Sequence, residues 1–203
     1  MPLHVPPAPA PALRSVLTAL GSPTAVREAP TSALRDHQGP LSPDHPLPVH
    51  VWDDVSRAGG PLRTRPAGWR FLVRGGERAV AAAEARLTAD GWTFSHFCGG
   101  PYVNATEQAL HQAELFTTPY QPRLLSVPEL YMLTLWLHHD LTSDGADGTP
   151  APGDLLLPLA PAPPGIAAHR PQRVADLLPR LALRLTATPL LGPTARSAPA
   201  PAP

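Results

Sequence analysis

Apolar positions along the chain gather into short clusters bounded by Gly and Pro, and the period inside each cluster predicts an element. Pro48 to Trp52 and Trp69 to Val73 are rich in β-branched or aromatic residues and read as strands. After the tight turn marked by Gly75 and Gly76, Glu77 to Thr88 suits two structures. Its alanines, early glutamate and trailing Gly91 fit a helix, whereas the double glycine before it fits the second arm of a hairpin. Trp92 and Phe94 alternate with Thr93 and Ser95, the period of a strand with one buried face, and Phe97 falls out of that phase. Asn104 followed by Glu107 forms a capping-box pattern, and Ala109, Leu110, Ala113 and Phe116 follow at helical spacing, predicting a helix over 105–116. Arg123 to Val127 reads as a strand, and Leu130 to His138 as a buried strand by its length and aromatic content. Asp154 to Leu159 would pair antiparallel with it across an exposed Asp- and Gly-rich loop from His139 to Gly153. Arg173 to Leu185 closes the series as a helix with Val174, Leu177, Leu178, Leu181 and Leu185 to one side, and Pro179 should kink or split it.

Strands, a helix, more strands and a final helix, without regular βα alternation, predict an α+β domain. The expectation is an antiparallel or mixed sheet of about five to six strands, with two or three helices packed on one face. Proline sharpens the boundaries: 11 of the 30 prolines lie in residues 1–50 and 12 in 151–203, leaving seven for the hundred residues between. The sequence therefore predicts a disordered Pro/Ala-rich segment over 1–46, one domain over 47–188, and a disordered Pro/Ala-rich tail over 189–203. Residues 13–20 can make two helical turns, but a helix so short is marginal in water unless it docks.

Counting then removes several chemistries. Cys98 is the only cysteine, so no intrachain disulfide, CxxC pair or multi-cysteine zinc knuckle can form. All 16 basic residues are arginine, so a Walker-type phosphate loop and a lysine Schiff base are both excluded. HExxH, GxSxG and GxGxxG do not occur, and no cofactor is expected. The N-terminus has no basic stretch leading into an apolar one, and the longest strongly apolar run, Leu130 to Leu137, is far short of the ~20 residues a spanning helix needs. A cytoplasmic location without a membrane span is the expectation.

Formal charge is zero, but it is segregated: residues 57–86 carry a net +5 and residues 124–169 a net −5. Within the basic segment, Arg63, Arg65, Trp69, Arg70 and Arg74 interleave charge with an aromatic ring, the pattern by which a groove holds single-stranded nucleic acid. A whole-chain pI near 7.1 argues against nucleic acid as a partner, because dedicated modules are commonly basic overall. His96 and Cys98 stand two apart on a predicted strand and so share a face, as a thiol and its base would. His138, His139 and Asp140 offer the imidazole and carboxylate groups that bind zinc, although neighbours on a strand point to opposite faces. His111 and Glu114 share a helix face, half of a carboxylate-bridged metal motif.

These readings rank in order. First comes a non-catalytic interaction or regulatory module that binds a protein partner, since catalytic motifs are missing and the ends are proline-rich. Second is a small enzyme or metal-dependent protein using Cys98 with His96, or His138 to Asp147. Third is nucleic-acid binding through Arg57 to Arg86.

Overall fold

A computed structural model describes residues 3–53, 63–146 and 148–186. One eight-stranded mixed sheet runs through it, with strands β1 (Leu41–Asp53), β2 (Arg63–Gly75), β3 (Arg78–Thr88), β4 (Gly91–Cys98), β5 (Gln121–Val127), β6 (Met132–His138), β7 (Leu155–Pro158) and β8 (Gln172–Arg173). Their order is β4-β3-β2-β1-β5-β6-β7-β8, antiparallel everywhere except where β1 and β5 meet in parallel at the centre. The described residues also hold five α-helices: α1 (Ala10–Leu20), α2 (Pro23–Arg27), α3 (Ser32–Arg35), α4 (Pro101–Glu114) and α5 (Val174–Thr186). Among the described residues no helix is long and apolar enough to cross a membrane.

The expected α+β class holds, with three corrections. The sheet has eight strands, more than the five or six expected, because Arg78–Thr88 is a strand and Gln172–Arg173 adds a short edge. Its helices cover both faces of the sheet instead of one. On β2, Leu72 packs with Val103, Ala109 and Leu110 of α4, whereas Trp69, Phe71 and Val73 pack with Ala12, Val16 and Ala19 of α1. Side chains alternate along a strand, so α4 and α1 sit on opposite faces. Leu177 and Leu181 of α5 join Leu125, Trp136 and Leu156, the positions between those that α4 covers, which places α5 on the α1 side.

The third correction concerns the N-terminus. Residues 10–40, expected to stay disordered, hold three helices, with Ala12, Val16 and Ala19 of α1, Leu34 of α3 and Ala29 between α2 and α3 buried. Individually these helices are too short to persist in water, and it is docking on the sheet that secures them. The tail over 189–203 lies outside the described residues.

Smaller departures have local causes. Pro101 stands at the first turn of α4 and Gly100, at φ 87°, precedes it, so the helix starts ahead of Asn104, which is not its cap. Pro179 sits inside α5 without dividing it. Gly68 shows where the sheet needs glycine: at φ 149° a Cβ there would meet the Ala85 carbonyl oxygen at 2.3 Å. Gly68→Ala is expected to cost about 1–3 kcal/mol, read as a lower urea midpoint at unchanged slope.

Candidate functional site

Three places gather chemistry, and each is built by strand register. The first is a buried polar hub. Asp154, fully buried just ahead of β7, accepts hydrogen bonds from Trp136 Nε1 at 2.6 Å, His138 Nδ1 at 2.9 Å, His139 Nδ1 at 2.6 Å, and the backbone N–H groups of Ala151 and His139. Burial by itself would raise its pKa, but the bonds from His138, Ala151 and His139 outweigh it and hold the carboxyl far below the usual range. An ionised carboxylate only accepts, so both imidazoles present Nδ1–H to it. β6 ends at His138, and His139 beyond it is free of strand alternation; both rings therefore reach the two oxygens of one carboxylate.

Sequence reasoning paired these histidines with Asp140. That residue is exposed and instead accepts from the backbone and hydroxyl of Thr142. Asp154 is the partner the sequence reading missed, and its signal was a single charge at the head of an apolar strand.

Beside the hub lies Arg123, fully buried on β5, its guanidinium 4.9 Å from the centre of the Trp136 ring. It donates to Gln121 Oε1, Ser143 Oγ and the Asp144 carbonyl. Gly145 O meets His50 Nε2 at 3.0 Å, and the Gly148 carbonyl accepts from Thr64. The 139–153 loop, expected to be exposed and solvated, is thus tied down over the centre of the sheet.

The second place is on the α4 face. Glu84 stands opposite His96 across β3 and β4, and opposite Arg70 across β2 and β3; Cys98 is the next residue on that face. Cys98 Sγ lies 3.3 Å from His96 Nε2, His96 Nδ1 lies 3.0 Å from Ser95 Oγ, and His96 Nε2 lies 3.8 Å from Glu84 Oε2. Arg70 places two donors on Glu84 Oε1. Burial works against the Glu84 charge, but the Arg70 guanidinium prevails and holds its carboxyl below the ordinary value. Burial pushes the Cys98 thiol up to about 11, with Arg70 opposing and Glu84 adding to the rise. The pairing of Cys98 with His96 is real in space, yet this thiol is protonated at neutral pH and is no ready nucleophile.

The third place is a cleft on the α1 face. Trp69 and Trp92 line two adjoining cavities of about 280 and 530 Å³, the first walled by Pro48, Pro66 and Leu87, the second by Pro6, Pro7 and Pro9 and by the loop from Leu141 to Ala146.

The remaining candidates separate. Trp69 faces α1, while Arg70 turns to the α4 side with Glu84, and Arg74 binds Asp44 and Glu107. Arg65 is exposed. Arg63 belongs to β2, and Arg57 and Asp147 lie outside the described residues. His111 and Glu114 are exposed and join neither cluster of potential metal ligands among the described residues. Comparison of the chain with protein-family models, curated proteins and solved structures gives no match.

Proposed function

We propose that the chain is a non-catalytic protein-interaction module whose Trp69–Trp92 cleft takes an extended, proline-containing peptide of a protein partner. The observation that carries this reading is the chain's own N-terminal segment. Pro6, Pro7 and Pro9 form one wall of the cavity whose other walls include both tryptophans, and Pro9, at φ −53° and ψ 129°, has polyproline II geometry. Proline offers a flat apolar ring and a backbone already extended, so it loses little freedom on docking against an aromatic surface. One wall of the cleft is thus already built of proline. Beyond those prolines, Leu87 is 65% exposed and pairs with Trp92 across β3 and β4, so apolar surface continues along the cleft.

Catalysis is the less supported use of this fold. The Cys98 thiol is held protonated, and every oxygen of Asp154 is occupied by donors, so neither is poised to attack or to move a proton.

The test is direct. A synthetic Ala-Pro repeat peptide, like the APAPAP of residues 198–203, is expected to bind saturably and to shift tryptophan emission. Trp92→Ala should weaken that binding by about thirtyfold, as loss of an aromatic anchor does. Binding that is absent, or that survives Trp92→Ala unchanged, would overturn the proposal.

A further inference from the structure

We propose that Glu84, His96 and Cys98 form a binding site for a divalent transition-metal ion of the Zn²⁺ or Co²⁺ type. The site stands on the α4 face and is independent of the peptide cleft on the other. One ligand atom from each residue lies within 4.8 Å of the other two. The Sγ–Nε2 separation of 3.3 Å and the Nε2–Oε2 separation of 3.8 Å are close to the spacing of about 3.3–3.6 Å between ligands of a tetrahedral ion with bonds of about 2.0–2.3 Å.

The groups around the three ligands are arranged as a metal site requires. Ser95 Oγ engages His96 Nδ1, which leaves Nε2 facing Cys98 and Glu84. Arg70 engages Glu84 through Oε1, which leaves Oε2 on the side of His96. Such outer partners orient the ring and the carboxylate before the ion arrives. A register shift between Glu84 and Ala85 helps to set the geometry. Ser95 is the extra residue, so His96 falls opposite Glu84 and shares its face with Cys98.

The other ligand cluster, His138, His139 and Asp154, lacks this openness. Both imidazoles already turn Nδ1–H onto the carboxylate, whose oxygens also take Trp136 and two backbone donors. Glu84 Oε2, by contrast, meets the half-exposed Arg86 and His96 at the looser distances of 3.4 and 3.8 Å. Glu84 and His96 also line a groove of about 280 Å³ with Arg70, Arg86, Val51 and Ser126, which gives the fourth coordination position access to water.

Binding is balanced as follows. The S–H bond of Cys98 breaks, a metal–sulfur bond forms, and one proton passes to the buffer. The thiolate and the Glu84 carboxylate together neutralise the ion.

The experiment titrates the chelator-treated full chain with Co²⁺ and follows absorption. One equivalent should produce a thiolate-to-cobalt charge-transfer band in the near ultraviolet, release about one proton, and be displaced by Zn²⁺. Cys98→Ser should abolish the band, and Cys98→Ser and His96→Ala should each weaken Zn²⁺ binding by more than about tenfold. His96 is half exposed, so its replacement is expected to leave circular dichroism unchanged, and His139→Ala should bind like the parent. No charge-transfer band in the parent, affinity unaltered in His96→Ala, or affinity lost in His139→Ala would each overturn the assignment.

Discussion

Replacing Asp154 with alanine is expected to cost about 3–5 kcal/mol, a large part of the ~5–15 kcal/mol by which a domain of this size is stable. The substitution removes the acceptor for Trp136 Nε1, two imidazole N–H groups and two backbone N–H groups. Trp136 and His138 are buried, so water cannot replace what they lose. Asp154→Asn keeps the shape but turns an amide N–H₂ toward groups that are themselves donors, and it should fall between alanine and the parent. Chemical denaturation with urea measures both. The same residue sets a pH dependence. Its folded carboxyl is held far below the usual range by the hydrogen bonds that overcome its burial, whereas unfolding returns it to about 3.9. The unfolded chain then binds the proton more readily, so the stabilisation is complete above the unfolded pKa and shrinks as pH falls below about 5. Asp44 and Glu84 are also held low and will contribute, but Asp154→Asn isolates this residue. Its urea midpoint should drop less between pH 6 and pH 3 than that of the parent. An equal drop in both would mean that the hub carries no charge linkage.

Much of the strand pattern was legible because burial and hydropathy agreed. β5, β6 and β7 lie where their apolar runs predict, and β6 pairs antiparallel with both neighbours. β3 was ambiguous for a physical reason. Ala79, Ala81, Ala82, Ala83 and Ala85 are all buried, because α4 covers one side of this strand and α1 the other. With both faces covered the period of two vanishes, small residues let the helices approach, and alanine's intrinsic preference for helix gives way to packing. The phase break at Phe97 had meaning too. The extra residue at Ser95 brings Phe94 and Phe97 to the same face, where their rings lie 4.7 Å apart, and turns His96 to the other. The candidate site divides along the same line. Cys98 with His96 could be seen from a spacing of two on one strand. The hydrogen bonds that both histidines donate to Asp154 could not, because they depend on where β6 ends and on a loop that folds back over the sheet.

Val16→Asp is expected to destabilise the protein by about 3 kcal/mol or more, although residues 1–46 read as disordered from their composition. Val16 is fully buried, and with Ala12 and Ala19 it forms the inner face of α1 against Phe71, Phe97 and the alanines of β3. A carboxylate there would lose water without gaining a partner, and the helix could keep it hydrated only by lifting off the sheet. Lifting off would in turn uncover Trp69, Phe71 and Val73 on β2, so the charge and the exposed sheet face penalise folding together. Leu17, the next residue, is 47% exposed, and Leu17→Asp should change stability by no more than about 0.5 kcal/mol. The pair therefore separates docking from helix propensity, since both substitutions place the same residue in the same 11-residue helix. Equal urea midpoints for the two variants would show that α1 does not close this face, and would leave the buried alanines of β3 without a cover.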